Sequence, residues 1–215
     1  MHVDAAELPA LVDEVRQWVR PGRTLTWWLG PSSEPPDIHA RLLSLGLREP
    51  ARGSVLHALA CLSPPPPAPA GTEVRRVSTL DEYAAFMRLQ WEVFGKREKQ
   101  RRWEELHLAE LWDAERRAGM PVSFLAFLDG RVAGTGRSIY GPAGSFLVAG
   151  ATAHWARRRG RYRALVCARW DDAVARGAPV LVTEAMPDTS LPILLGLGFQ
   201  EVCVVRRLED PLAGR

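Results

Sequence analysis

The chain of 215 residues contains little lysine, little cysteine and no long apolar run. Of its 28 basic residues only Lys96 and Lys99 are lysines, so arginine, which binds phosphate and carboxylate in a bidentate manner, carries nearly all the positive charge. The three cysteines are widely spaced and include no Cys-x-x-Cys pair, which argues against a zinc site or a disulfide framework and favours a reducing cytoplasm. The apolar runs are far shorter than the roughly 20 residues of a membrane-spanning helix, and the start MHVDAAEL lacks a signal-peptide pattern.

The remaining composition is that of a globular protein. Hydrophobic residues make up 47% and charged residues 25% of the chain, and the length suits one or two domains. A pI near 9.0 would permit nucleic-acid binding, but a net charge of +3 is too small to argue for it. We expect neither a membrane nor a nucleic acid as partner, and no metal.

The segment 63–71, SPPPPAPAG, marks the clearest boundary. Four consecutive prolines favour an extended polyproline conformation without internal hydrogen bonds, which predicts a linker. The linker separates an N-terminal α/β segment, residues 1–62, from a larger domain at 72–210. The apolar patterns of that domain predict the order β-α-α-β-β-β-α-β-α-β, a mixed α/β architecture with antiparallel hairpins followed by a β-α-β crossover.

Two stretches of the chain share a weak repeat. Ser33-Glu34-Pro35 matches Ser190-Leu191-Pro192, and Leu45-Gly46-Leu47 matches Leu197-Gly198-Phe199, each set lying between two predicted strands. A duplicated half-domain explains the match. Chance similarity between short motifs is the alternative.

The stretch AGATAHWARRRGRYRALVCARW carries the clearest chemical signal. A predicted strand runs into the arginines at 157–159, and a helix begins near Gly160. Unpaired backbone amides at a helix N-terminus bind anions, and a glycine there lets a phosphate approach the backbone. The pattern therefore predicts a phosphate or pyrophosphate site. The alternative is a solvated basic turn.

These residues resemble the acyl-CoA signature of the GCN5-related N-acetyltransferases (GNAT), Arg/Gln-x-x-Gly-x-Gly/Ala between the fourth strand and the third helix. Here Arg157 and Gly160 fit, while Tyr162 replaces the last small residue. The later motif Leu197-Gly198-Phe199 and the element order also fit. The resemblance implies a GNAT-like, mostly antiparallel mixed sheet flanked by helices. The N-terminal segment, a smaller α/β half-domain, resembles a degenerate copy of the second half of that fold.

The resemblance further implies an acyl-CoA-dependent N-acyltransferase. Acetyl-CoA is the expected donor, and a small-molecule or peptide amine attacks it directly in a ternary complex. The strand main chain should pair with the pantetheine arm, and the amides that follow should hold the pyrophosphate. The implied cofactor-binding residues are Ala151, Thr152, Ala153, Arg157, Arg158, Arg159, Gly160, Arg161, Tyr162 and Arg163.

Several residues are candidates for a catalytic role. Members of the family often carry a tyrosine that protonates the leaving thiolate, and the matching position here is Leu194, which cannot donate a proton. Glu184, at the end of a predicted strand, is the first choice for a general base, the alternative being a salt-bridged carboxylate. For the other candidates we favour structural roles: His154 as a loop residue, Ser190 as a helix cap and Cys167 as a packed thiol.

Three further expectations concern binding. The alternative to catalysis is a weak or inactive GNAT-fold module that binds acyl-CoA or another ligand. The acids within residues 96–118 could attract a cationic amine beside Trp103 or Trp112, although core packing is the default for both tryptophans. Exposed edge strands in the N-terminal segment would also allow that segment either to dock within the chain or to support a homodimer.

Overall fold

A computed structural model of the chain describes residues 3–20 and 23–213. Contacts divide the chain into two compact units that do not follow chain order. The first unit contains Met1–Leu59, Glu184–Leu194 and Glu201–Arg215. The second contains Ala60–Thr183 and Leu195–Gln200.

Seven α-helices and eight strands lie in the described residues, which confirms the mixed α/β class. The helices are α1 (Leu8–Trp18), α2 (Ile38–Ser44), α3 (Leu80–Phe94), α4 (Glu98–Leu106), α5 (Leu108–Ala118), α6 (Arg161–Ala175) and α7 (Ser190–Leu195). The strands are β1 (Leu25–Leu29), β2 (Val55–Cys61), β3 (Glu73–Arg76), β4 (Val122–Leu128), β5 (Arg131–Gly141), β6 (Gly144–Thr152), β7 (Leu181–Ala185) and β8 (Gln200–Asp210). None of the described helices is both long and apolar enough to cross a bilayer.

The first unit is completed by the last strand of the chain. Strand β8 pairs antiparallel with β1, from Leu25↔Asp210 to Leu29↔Arg206. The apolar core of the first unit consists of Leu8, Val12, Trp27, Leu29, Ile38, Leu42, Leu47 and Leu208. Asp210 is buried, and Arg16 Nε donates to its Oδ2 at 2.7 Å. A buried carboxylate is tolerated when it is paired in this way, so α1 and β8 are tied by charge as well as by apolar contacts.

The grouping by contacts differs from the predicted division into 1–62, 63–71 and 72–210. Residues 201–215 belong with the N-terminal segment because β8 supplies both Leu208 to its core and Asp210 to its ion pair. The predicted domain boundaries stay a prediction.

The second unit is built on an antiparallel meander. Strands β3, β4, β5 and β6 pair in chain order, and β7 joins β6 in parallel. The hairpin predicted from Asp129-Gly130 is confirmed, with positive φ values of 51° and 74° at the two turn residues. Helix α3 packs on this sheet, and the cluster it forms contains Tyr83, Phe86, Met87, Trp91, Leu125 and Phe127.

The charged stretch 96–118 forms two helices, α4 and α5, rather than one, with the break at His107. Trp112 packs against Tyr83, with 5.2 Å between ring centroids, as the core expectation predicted. The same expectation is wrong for Trp103, which is 53% exposed and stacks on His107 at 4.4 Å. Trp103 therefore packs along the helix surface and not in the core.

The repeat predicted from the sequence has a structural counterpart. Gly46 and Gly198 have φ values of 92° and 89°, a region that favours glycine. Each donates its amide to the carbonyl three residues earlier, at 3.0 and 3.1 Å. The residues that follow, Leu47 and Phe199, are both buried. The two Leu-Gly motifs thus end α2 and α7 in the same way and lead the chain back into buried structure.

Candidate functional site

Within the second unit, β6 and β7 pair only over a short distance. The parallel register is Ser145↔Leu181 and Phe146↔Val182. At the next step the side chain of Thr183 donates to the Leu147 carbonyl at 2.9 Å. Strand β6 nevertheless continues to Thr152. The second half of β6, toward Thr152, therefore continues past the last residue pair that β6 forms with β7 in this unit.

Along β6, the backbone amides and carbonyls of successive residues point alternately toward β5 and away from it. Ala153 donates its amide to Ala133 of β5 at 2.9 Å, and the neighbouring pair is Thr152↔Gly134. Because hydrogen-bonded and non-hydrogen-bonded pairs alternate in an antiparallel ladder, the amide and carbonyl of Thr152 point away from β5. Those of Ala151 and Ala153 point toward β5. Of the three residues expected to pair with a pantetheine arm, only Thr152 offers its main chain to the open side.

A β-bulge bends β6 just before this point. The β5–β6 register shifts between Thr135 and Arg137, and Ala149 has a φ of 53°. Gln90 of α3 holds the bulge, because its Nε2 donates to the Ala149 carbonyl at 2.8 Å and to Thr135 Oγ1 at 2.6 Å. The sequence analysis missed Gln90. A polar residue among the apolar positions of α3 was the available signal.

The N-terminus of α6 presents unpaired amides. Arg158 and Gly160 have φ values of 61° and 73°, and the first bond of the helix runs from Ala164 N to Gly160 O at 3.0 Å. The amides of Arg161, Tyr162 and Arg163 precede that bond and have no intrahelical partner. Together with the helix dipole they form a site suited to an anion.

The arginine side chains around these amides have different environments. Those at 157–159 are exposed and can reach an anion from solvent. Arg161 is buried, and its guanidinium donates to Phe127 O at 3.3 Å and to Arg159 O at 3.0 Å. Arg161 can therefore serve an anion through its backbone amide only. Arg163 is partly buried.

Tyr162, the departure from the family signature, is accommodated by a glycine. A Cβ on Gly150 would lie 2.9 Å from Tyr162 Cε2, so the missing side chain of Gly150 is the space that the ring fills. The ring also serves a fully buried arginine. Burial lowers the pKa of Arg169, and the electrostatic influence of the nearby Tyr162 opposes that shift. Tyr162 is thus part of a packed pair with Gly150 and a polar neighbour of Arg169.

This packing makes Gly150→Ala a testable substitution. We expect it to lower the free energy of unfolding by about 1–3 kcal/mol, the usual cost of overpacking, because the new Cβ displaces the ring of Tyr162. Denaturant unfolding measures the loss. Gly30→Ala is the control, since a Cβ there meets no atom within 4 Å. Equal losses in the two variants would show that the ring contact is not what Gly150 provides.

Glu184 belongs to the first unit and is partly buried on β7. Burial raises the pKa of its carboxyl, while the positive charge of Arg207 acts in the opposite direction. Ser190 of the same unit accepts the Met186 amide at 2.9 Å, which closes the turn before α7 and does not cap the helix, and Leu194 is buried. His154 lies exposed in the second unit. The site residues predicted at 151–163 therefore share one unit, and Glu184 belongs to the other.

Comparisons with known proteins agree on the fold. No family model matches the chain, and no curated protein matches its sequence. Among solved structures, a GCN5-related N-acetyltransferase from Kribbella flavida is 17% identical with a TM-score of 0.67, over 97% of this chain and 77% of that one. One from Sphaerobacter thermophilus is 19% identical with a TM-score of 0.65, over 97% and 69%.

A tandem GNAT protein from the clavulanic acid biosynthesis pathway, in a structure without AcCoA, is 19% identical with a TM-score of 0.63, over 95% of this chain and 68% of that one. At these identities the likeness shows the fold alone. The chain has a GNAT-like fold over nearly its whole length.

Proposed function

We propose that this protein is an acyl-CoA-dependent N-acyltransferase that uses acetyl-CoA to acylate a small-molecule or peptide amine. The observation that carries the proposal is the presence, in one unit, of the Thr152 main chain turned away from β5 and of amides without intrahelical partners at the start of α6. An extended chain that ends in phosphates would use both features, because it needs main-chain partners at one end and an anion site at the other.

The residues present fit such a donor. Thr152 can pair with the amide groups of a pantetheine arm, the amides of 161–163 can bind the pyrophosphate, and the exposed arginines at 157–159 can add charge-assisted hydrogen bonds. Acetyl-CoA supplies a thioester carbonyl that an amine attacks directly, so no covalent enzyme intermediate is needed.

The amine has to be neutral to attack, and Glu184 is the proposed general base. A carboxyl whose pKa is raised by burial is a better proton acceptor near neutral pH than an ordinary one. Leu194 offers no acid for the leaving thiolate, so we propose that water supplies that proton. The three free cysteines suit the reducing cytoplasm proposed as the compartment.

Thiol release on mixing with acetyl-CoA and an amine tests the proposal. A panel of small and peptide amines is the substrate set, with a thiol-reactive dye as the first readout and mass spectrometry of the acylated amine as the second. We expect free CoA and acylated amine to appear in equal amounts. Hydrolysis to acetate at the same rate with and without amine would contradict amine transfer.

The second candidate is a GNAT-fold module that binds acyl-CoA without turnover. The burial of Leu194 favours it, since a buried leucine stands where the family often has a proton donor. The two candidates differ in a simple way. Selective CoA binding without thiol release from any amine of the panel supports the binding module.

A further inference from the structure

The proline-rich segment 63–71, called here the proline strap, is docked on α6 within the second unit. The thiol of Cys167 donates to the Pro66 carbonyl at 3.2 Å. Pro65 is buried, and Thr72 Oγ1 donates to the Pro69 carbonyl at 2.8 Å as the chain turns toward β3. The segment predicted as a linker therefore has a defined binding surface.

The dimensions of the strap and the helix match. From Gly160 to Cys167 the helix rises about 10.5 Å, at about 1.5 Å per residue. From Pro66 to Pro69 a polyproline chain extends about 9.3 Å, at about 3.1 Å per residue. The strap contacts Cys167 at Pro66 and Gly160 at Pro69. It therefore runs along α6 in the opposite direction and ends beside the N-terminus of the helix.

Pro69 occupies the face of Gly160 that has no side chain. A Cβ built on Gly160 would collide with Pro69 Cγ and lie 3.2 Å from its Cδ. A glycine at this place would let a phosphate approach the backbone closely, and here the ring of Pro69 makes that approach instead. A phosphate that approached Gly160 on this face would meet the ring of Pro69.

The strap is also suited to leave that surface. Pro64, Pro66, Pro67 and Ala68 are exposed, so few contacts hold it in place. A polyproline chain is already extended before it docks, so docking and release change its conformational entropy little, and the contacts of the strap decide the balance between the two states. A ligand that binds the helix N-terminus only when the strap is released shifts that balance toward the released state.

We propose that the proline strap is a latch that must leave Gly160 before a phosphate group of the acyl donor binds at the N-terminus of α6. The proposal rests on the proposed function, because it takes acyl-CoA as the ligand. It adds that donor binding and strap docking exclude each other. A ligand that displaces the strap breaks the hydrogen bond between the partly buried Cys167 thiol and Pro66 and increases the access of a reagent to that thiol.

Alkylation of Cys167 with and without desulfo-CoA tests this exclusion. Desulfo-CoA carries the phosphates and no thiol that would consume the reagent, and peptide mapping by mass spectrometry assigns the label to each cysteine. We expect saturating desulfo-CoA to accelerate alkylation of Cys167 several-fold and to leave the fully buried Cys61 unchanged. Protection of Cys167, or an unchanged rate under saturation, would overturn the latch.

The Pro69→Ala variant tests the same competition through affinity. It removes the ring atoms that cover Gly160, so acetyl-CoA is expected to bind about three- to tenfold more tightly. This factor corresponds to a wild-type protein in which about a third to a tenth of the molecules have the strap released. Pro67→Ala, at an exposed position of the same strap, should bind like the wild type. Equal affinities in all three proteins would overturn the latch and leave the proposed function intact. Absence of acetyl-CoA binding in all three would overturn both, whereas binding by Pro69→Ala alone would support both.

Discussion

The Glu184→Gln variant is expected to lose turnover by about two orders of magnitude, the usual contribution of a general base, while its affinity for acetyl-CoA stays the same. Burial raises the pKa of this carboxyl, so the wild-type rate should rise with pH as Glu184 loses its proton. The rate of the variant should lack this rise with pH. Thiol-release kinetics across pH, with kcat and KM determined separately, measure both effects.

The same variant is expected to gain stability at neutral pH. The folded-state pKa of Glu184 is raised above its unfolded value, so the folded state holds the proton more tightly. The free energy of unfolding then falls as pH rises from the unfolded pKa through the folded one. The neutral glutamine does not cause this fall in the free energy of unfolding. The stability that Glu184→Gln gains at neutral pH should therefore disappear in acid. Urea unfolding at several pH values measures it.

Glu201→Gln is the matched control for these experiments. It changes a carboxyl of the same unit, one that faces His57 with 2.9 Å between Oε2 and Nδ1, and should leave turnover unaltered. If Glu184→Gln is more stable but equally active with an unchanged pH profile, Glu184 is a buried structural carboxyl and not the base.

The Gly160→Asp variant is expected to abolish detectable binding of acetyl-CoA. The substitution places a negative charge beside the amides of 161–163 and forces bulk against Pro69. Isothermal calorimetry measures the affinity, and a parallel unfolding experiment confirms that the variant is folded.

Gly177→Asp is the control for backbone strain. Gly177 has a φ of 75°, against 73° for Gly160, and lies just beyond the other end of α6 with no atom within 4 Å of a Cβ. Both variants bear the cost of a left-handed residue, about 1–2 kcal/mol, but only Gly160→Asp should lose CoA binding. If Gly160→Asp bound acetyl-CoA with wild-type affinity, the phosphate would not bind at the assigned site.

Local signals explain which parts of the fold were predictable. The Asp129-Gly130 hairpin and the Leu-Gly motif at Gly198 depend on backbone conformations that few residues adopt, so short sequence patterns specify them. The grouping of β8 with the N-terminal segment was not predictable. It depends on strand pairing across most of the chain length, such as Leu25 with Asp210, which no local pattern encodes.

The same distinction applies to the candidate site. The unpaired amides at the start of α6 follow from an arginine-rich loop that ends at a helix start, both visible in the sequence. The burial of Arg161 had a usable signal, because Leu165 and Arg169 follow it at four-residue spacing and share its helix face. The accommodation of Tyr162 by Gly150 had none, since it brings together a strand and a helix that only tertiary packing makes adjacent.

Calorimetric titration of the protein with acetyl-CoA, with desulfo-CoA and ATP as comparison ligands, tests the central claim most directly. We predict saturable micromolar binding of both CoA compounds, with ATP at least tenfold weaker because it lacks the pantetheine arm that Thr152 would bind. Failure of wild-type protein and Pro69→Ala alike to bind either CoA compound would contradict an acyl-CoA site on this fold.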